Sequence, residues 1–161
     1  MKSKKNQKIG DALSTMTLER EKLLFNVLGE CLADRLFLYF RGKVDFDYDE
    51  GGDGAYVECN LPCLFSILCL CIEDAPVASA QIRMLGKEEC AEIHITGRDT
   101  KELDKRQIFE NAALGGIELS WSDDTLTLYL PIKREAILHL FANREGLLAK
   151  LDRLAKAFDI L

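Results

Sequence analysis

Apolar positions follow two different periods along the chain, and they predict alternating strands and helices. In residues 44–48 every second side chain is apolar, so a half-buried strand is expected there. Residues 61–73 are apolar on almost every side, which indicates a helix that is buried over most of its surface. Pro62 suits the first turn of that helix, where a backbone N–H is not needed. Alternation therefore predicts the strand, and a continuous apolar run of helical length predicts the buried helix.

The other elements complete an alternating order. Leu24, Leu28, Leu32 and Leu38 recur at helical spacing and predict one long helix from about residue 17 to 40. Further strands are predicted at 55–59, 80–85, 91–96, 117–121 and 125–130, with helices at 103–114 and from Pro131 to the last residue. A turn at 49–54 is expected to join the first two strands. This order predicts an α/β fold, a two-layer sandwich in which a mixed sheet carries helices on one face.

Composition restricts the class of protein and its partners. The chain has 161 residues, 48% of them apolar, with three prolines, which predicts one folded domain with helical extensions. No apolar run reaches the roughly 18–20 residues that span a bilayer, and no leader pattern is present, so we expect a cytoplasmic protein without a membrane partner. The formal net charge of −6 disfavours nucleic acid as a ligand. Four lysines among the first eight residues indicate a disordered basic tail at 1–16.

Two stretches resemble parts of a known family. Residues 60–75, which run from Asn60-Leu61-Pro62 to Glu73-Asp74-Ala75, resemble the buried first helix of the GHKL ATPase domain of sensor histidine kinases. Residues 115–121 and 126–131 resemble the closing hairpin of that domain, in which a glycine pair after a helix leads into two strands and a terminal proline. The resemblance implies a degenerate GHKL (Bergerat-like) domain at 42–132. The N-terminal helix, 17–41, looks like the second dimerisation helix of such kinases, and 133–161 is a C-terminal helical extension.

The departures from the family's motifs concern its nucleotide site. The family's first helix holds magnesium and phosphate with two asparagines four residues apart, and the matching positions here are Leu70 and Asp74, with Ala75 after them. Residues 96–100 contain one glycine where the family has an Asp-x-Gly-x-Gly adenine box, and residues 103–114 lack the glycines of a phosphate lid. The resemblance thus implies a vestigial nucleotide pocket without cofactor, whose remaining candidates are Asp74, Gly97 and Asp99.

Two metal-like patterns have simpler interpretations. Asp45, Asp47 and Asp49 are spaced as in a calcium loop, but Glu50 and Tyr56 stand where that loop needs glycine and glutamate. The alternation of a strand instead places these aspartates on its solvent-exposed face. The six cysteines lie mostly in apolar runs, and none forms a Cys-x-x-Cys pair, so we expect buried side chains in a reducing compartment and no metal site.

Both histidines have ordinary interpretations beside one catalytic alternative. His94 alternates with apolar neighbours and is expected on the solvated face of its strand. His139 lies in the predicted last helix, and a helical histidine can accept a phosphoryl group, as in degenerate kinase-like phosphotransferases. Such a histidine should however precede the ATPase-like domain, and residues 18–40 contain none.

The last helix carries a seam of apolar residues at alternating spacings of three and four. Such a seam packs either within its own chain or in a helical bundle between two subunits. The second interpretation predicts a homodimer whose interface contains Leu147, Leu151, Leu154 and Phe158.

Taken together, these patterns favour a non-catalytic signalling or regulatory module, a pseudo-ATPase that acts by binding protein partners. Two alternatives remain open at this point. One is an ATP-binding kinase or anti-sigma-type regulator, and the other is a histidine phosphotransferase that acts through His139.

Overall fold

The computed structural model describes residues 4–41, 43–49, 55–73, 80–96, 104–134 and 144–161. The helices in these ranges are α1 (Lys4–Thr15), α2 (Phe25–Phe40), α3 (Leu61–Glu73), α4 (Lys105–Gly115) and α5 (Arg144–Ala157). The strands are β1 (Glu21–Leu24), β2 (Val44–Tyr48), β3 (Tyr56–Cys59), β4 (Ala80–Gly86), β5 (Cys90–Thr96), β6 (Glu118–Ser122) and β7 (Thr125–Lys133). The six predicted strands and the predicted helix at 61–73 are confirmed.

The strands form one mixed sheet in the order β1-β3-β7-β5-β4-β2, with β6 also paired to β7. β2 and β4 are parallel, which requires a crossover, and α3 lies between them in sequence. The other pairs are antiparallel. β7 is long enough to pair with β5 and β6 along its first part and with β3 at Ile132 and Lys133. The predicted α/β class with a mixed sheet is confirmed.

One face of the sheet is apolar and buried. Ile82 and Met84 of β4 are buried whereas Gln81 and Arg83, which alternate with them, are exposed. In β5, buried residues alternate with half-buried ones. α3 is buried on all sides, and α2 packs against β2 while α3 packs against α4. The core therefore lies between the sheet and the helices, as in a sandwich of two layers.

The beginning of the chain differs from the prediction. Residues 4–15 form α1, so the predicted disordered tail is wrong for this range. Ile9 and Leu13 are one helical turn apart and fully buried, and this apolar face holds the helix to α3 and α4. The Nζ of Lys8 lies 2.8 Å from a carboxylate oxygen of Asp159, close to the C-terminal end of α5. Burial of Ile9 and Leu13 therefore stabilises a packed helix, although the surrounding sequence is rich in lysine.

The predicted long helix at 17–40 is also divided. Residues 21–24 form β1, which pairs antiparallel with β3, and α2 begins only at Phe25, whose N–H donates to the carbonyl of Ala55 (3.0 Å). α2 ends at Phe40, and the C-cap residue Arg41 adopts the left-handed conformation with φ 46°. β3 pairs with β1 and β7 rather than with β2, so these two predicted strands are not neighbours in the sheet. The predicted turn at 49–54 lies outside the described residues except for Asp49.

The end of β7 also differs from the prediction. Pro131 is opposite Cys90 within the sheet, and β7 continues to Lys133, so the predicted helix does not resume directly after Pro131. α5 begins at Arg144. Residues 135–143, which include His139, lie outside the described residues.

Candidate functional site

Of the positions predicted to form a nucleotide pocket, the structure describes Leu70 on α3, and the α3 side chains from Leu61 to Ile72 are buried in the core. Leu70, at the position of the first family asparagine, is fully buried, as is Leu68. Asp74, Gly97 and Asp99 lie outside the described residues, as does Ala75. The described part of α3 therefore directs an aliphatic side chain into the core at the position where the family has a metal ligand.

A chain of buried polar side chains joins α3 to α4. The Nε2 of Gln107 donates to Oδ1 of Asn111 (2.8 Å), the Nδ2 of Asn111 donates to Oγ of Ser66 (3.1 Å), and that hydroxyl donates to the carbonyl of Cys63 (2.6 Å). All three side chains are buried. Buried polar groups that satisfy one another stabilise one relative position of two elements. This series of hydrogen bonds fixes the position of α4 against α3.

The two glycines at the end of α4 meet two different structural requirements. A Cβ on Gly115 would lie 2.6 Å from Cβ of Cys63, so the close approach of α4 to α3 requires glycine. Gly116 adopts the left-handed conformation with φ 63°, and its N–H caps the helix on the carbonyls of Ala112 and Ala113. The predicted glycine end of this helix is confirmed, and the chain then enters β6 and β7.

The apolar seam of α5 packs within its own chain. Leu147, Leu151, Leu154 and Phe158 are all buried. Phe158 stacks on Phe65 of α3 with ring centroids 5.9 Å apart. Contacts with α2 and α3 bury this seam within the single chain, which argues against the predicted subunit interface at these four residues. The homodimer itself stays a prediction.

Charged contacts hold α5 in this position. Asp152 accepts a hydrogen bond from the hydroxyl of Tyr39, and its Oδ1 lies 3.1 Å from Nε of Arg35. Lys150 pairs with Glu21 of β1. Burial, the hydrogen bond to Asp152 and the charge of that carboxylate all raise the pKa of Tyr39. Tyr39 therefore acts as a hydrogen-bond donor between α2 and α5 at neutral pH.

The cysteines behave as core residues. Five of the six are buried, and Cys90 is half-buried. Burial raises the pKa of Cys59 to about 12 and that of Cys63 to about 11, so both thiols stay protonated at neutral pH. A protonated thiol is neither a good nucleophile nor a metal ligand. Within the described ranges, no group of three or more His, Cys, Asp or Glu side chains is placed to hold a metal ion.

The outer face of the sheet carries a small charged cluster, formed by two residues of β5 and one residue of the turn before it. Oε1 of Glu92 lies 2.8 Å from Nε2 of His94 and 3.3 Å from Nζ of Lys87. His94 is thus on the outer face, as its alternation predicts. The hydrogen bond from His94, with the charge and hydrogen bond of Lys87, lowers the pKa of Glu92.

This cluster predicts an acid dependence of stability. A glutamate whose pKa is lowered in the folded state stabilises the fold above its ordinary value of 4.5, and this contribution is lost as the pH falls through the folded pKa. Urea unfolding of Glu92→Gln should therefore show a smaller loss of unfolding free energy between pH 6 and pH 3 than the parent. Glu89→Gln, at an exposed carboxylate close by, is the control and should retain the parent's dependence. Equal acid dependence of Glu92→Gln and the parent would contradict the assignment.

A surface cleft lies between α2 and β2. Its volume is about 510 Å³, within the roughly 300–1,000 Å³ range of ligand clefts. α2 contributes one helical face, and β2 contributes residues from both of its faces. The lining residues are Glu30, Ala33, Asp34, Phe37, Val44, Asp45, Phe46, Tyr48 and Arg144.

The cleft is largely acidic at its rim. Three carboxylates and one guanidinium line it, and Nε of Arg144 lies 3.1 Å from Oε1 of Glu30. Asp34 pairs with Arg35 at 2.7 Å. Asp45 is exposed on β2, as is Asp47 beyond it, so the alternating aspartates are the solvated face of a strand as predicted. Sequence reasoning did not find this cleft, although Glu30, Ala33, Asp34 and Phe37 have the spacing of one helical face.

Comparisons with protein-family models and with curated proteins find no match for this sequence. No helix in the described parts of the chain is both long and apolar enough to cross a bilayer.

Proposed function

We propose that the chain is a non-catalytic regulatory module, built on a degenerate histidine-kinase-like ATPase scaffold, that acts by binding protein partners. The observation that carries the proposal is the burial of Leu70. At the position where the resembling family has an amide ligand for magnesium, this chain places a hydrocarbon side chain in the core, and a hydrocarbon cannot ligate a hard cation.

Three structural features support the use of the resembling scaffold. The helix that resembles the family's first helix is buried from Leu61 to Ile72. The glycine pair after α4 leads into a hairpin, β6 and β7, as in the resembling segment. Among the described strands, β2 and β4 form the parallel pair, and β3 and α3 lie between them in sequence. The proposal rests on these features together with the altered site.

We expect Mg-ATP at millimolar concentration to leave the melting temperature unchanged. A ligand present at 100 times its Kd adds about 2.7 kcal/mol of stability, which raises the melting temperature of a domain of this size by several degrees. Differential scanning fluorimetry of the full chain measures the shift, with magnesium chloride alone and Mg-CTP as controls for ionic effects. A saturable shift specific to ATP, confirmed by isothermal titration calorimetry, would contradict the proposal and favour an ATP-binding kinase or anti-sigma-type regulator.

A further inference from the structure

β2 is the last strand in the order of the sheet. In the described part of the chain it pairs with β4 alone, through a parallel register that runs from Val44 opposite Ala80 to Tyr48 opposite Met84. The other side of its backbone borders the cleft, because the cleft is lined both by Phe46 on the buried side and by Asp45 on the solvated side. A strand edge of this kind has N–H and C=O groups that can pair with another strand.

The two faces of β2 differ in chemistry, and this difference defines what can pair with it. Val44, Phe46 and Tyr48 face the helices, where Ala33 and Phe37 of α2 extend the apolar surface. Phe37 is 65% exposed, so part of this surface is open to a ligand. Asp45 and Asp47 occupy the opposite face and are exposed. An added strand would therefore meet apolar groups on one face and carboxylates on the other.

The carboxylates of β2 are more available for ion pairing with a partner than those of α2. Glu30 is engaged by Arg144 at 3.1 Å, and Asp34 by Arg35 at 2.7 Å. Among the described residues, the ion-pair contact of Asp47 is a long one of 4.0 Å with Arg83, and both of those side chains are mostly exposed, so this ion pair is weak. The β2 carboxylates thus favour a basic partner.

A second copy of this chain is a poor occupant of the same edge. If two β2 strands paired antiparallel about Phe46, Asp45 of each copy would lie opposite Asp47 of the other. Parallel pairing in register would place each aspartate opposite itself. Like charges directly opposite each other destabilise strand pairs. The aspartates therefore select against self-association at this edge and for a segment of opposite charge.

We infer that β2 receives an extended segment of a protein partner as an added strand, in which lysine or arginine alternates with apolar side chains. The apolar residues enter the cleft beside Phe46 and Phe37, and the basic residues lie on the side of Asp45 and Asp47. Backbone hydrogen bonds provide affinity, and the alternation provides specificity. This inference rests on the proposed function, since it names the chemistry of the partner.

The test begins with selection of peptides from a random library on the full chain. Selected sequences should alternate basic and apolar residues. The double variant Asp45→Lys/Asp47→Lys should weaken the selected peptide by about tenfold or more, because two attractive pairs become repulsive. The control variant Asp11→Lys/Asp124→Lys makes the same charge change at exposed sites on α1 and in the β6–β7 turn, and should retain parent affinity. Circular dichroism and melting curves verify that both variants are folded.

A second arm leaves the protein unchanged and tests strand pairing directly. N-methylation of alternate peptide amides, in two complementary patterns, should abolish binding for one pattern and spare the other, because only every second amide of an added strand faces β2. Loss of binding with both patterns or with neither would overturn the inference.

Further outcomes separate this inference from the proposed function. A library that yields no binder, or equal weakening by the two protein variants, would overturn the inference alone. The response to Mg-ATP decides the proposed function and does not depend on β2.

Discussion

The Leu151→Asp variant should lose about 3–5 kcal/mol of unfolding free energy or more, because it places an unpaired carboxylate in the core. Leu151 is fully buried on the face of α5 that packs against α2 and α3. A loss of this size removes a large part of the roughly 5–15 kcal/mol that stabilises a typical domain. Chemical denaturation followed by circular dichroism measures it, and the double variant Leu151→Asp/Leu154→Asp should be unfolded in buffer.

Arg153→Asp is the matched control for this prediction. It introduces the same residue into the same helix at an exposed position, and its stability should stay within about 1 kcal/mol of the parent. Light scattering provides the decisive second measurement. A double variant at Leu151 and Leu154 that is a folded monomer, beside a dimeric parent, would restore the subunit-interface interpretation of the seam.

The Leu70→Ala variant should lose about 2–5 kcal/mol of unfolding free energy, the cost of removing a buried leucine and leaving a cavity. The side chain is completely enclosed on α3, the most buried helix of the fold. Urea denaturation of the parent and the variant gives the difference directly.

Leu114→Ala makes the same chemical change on α4, where the leucine is 55% exposed, and should cost within about 0.5 kcal/mol. If Leu70→Ala were as mild as this control, Leu70 would line an open pocket. A nucleotide site at α3 would then be favoured again, against the proposed function.

Local pattern was sufficient to predict much of the architecture. The alternation in residues 44–48 and 91–96 is a property of consecutive residues, and it located β2 and β5. Gly115 and Gly116 marked the end of α4. The close approach of α4 to α3 requires glycine at the first position, and a positive φ favours glycine at the second, so both requirements are visible in the sequence. The continuous apolar run at 61–73 likewise specified a buried helix.

The errors share a physical origin in contacts between distant residues. Residues 21–24 are all good helix formers, yet pairing with β3 makes them a strand. The α5 seam has the same spacing whether a second subunit or α2 covers it, since periodicity identifies the apolar face and not its neighbour. The cleft depends on β2 being the outer strand, which is a property of the sheet order. Asp45 and Asp47 could be predicted as solvated, but not as the edge of a cleft.

The position of α5 has a consequence for how the protein is made. The hydrogen bond from Tyr39 to Asp152 joins residues 113 positions apart, and the ion pair of Lys150 with Glu21 spans 129 positions. A ribosome therefore completes β1, α2 and α3 long before it supplies the helix that covers Phe65 and its neighbours. Contacts of such separation slow folding, and the uncovered apolar surface makes the nascent chain prone to aggregation. Nascent chains arrested before Arg144 should accordingly bind chaperones. Chains that have also emitted α5 from the ribosome should no longer bind them.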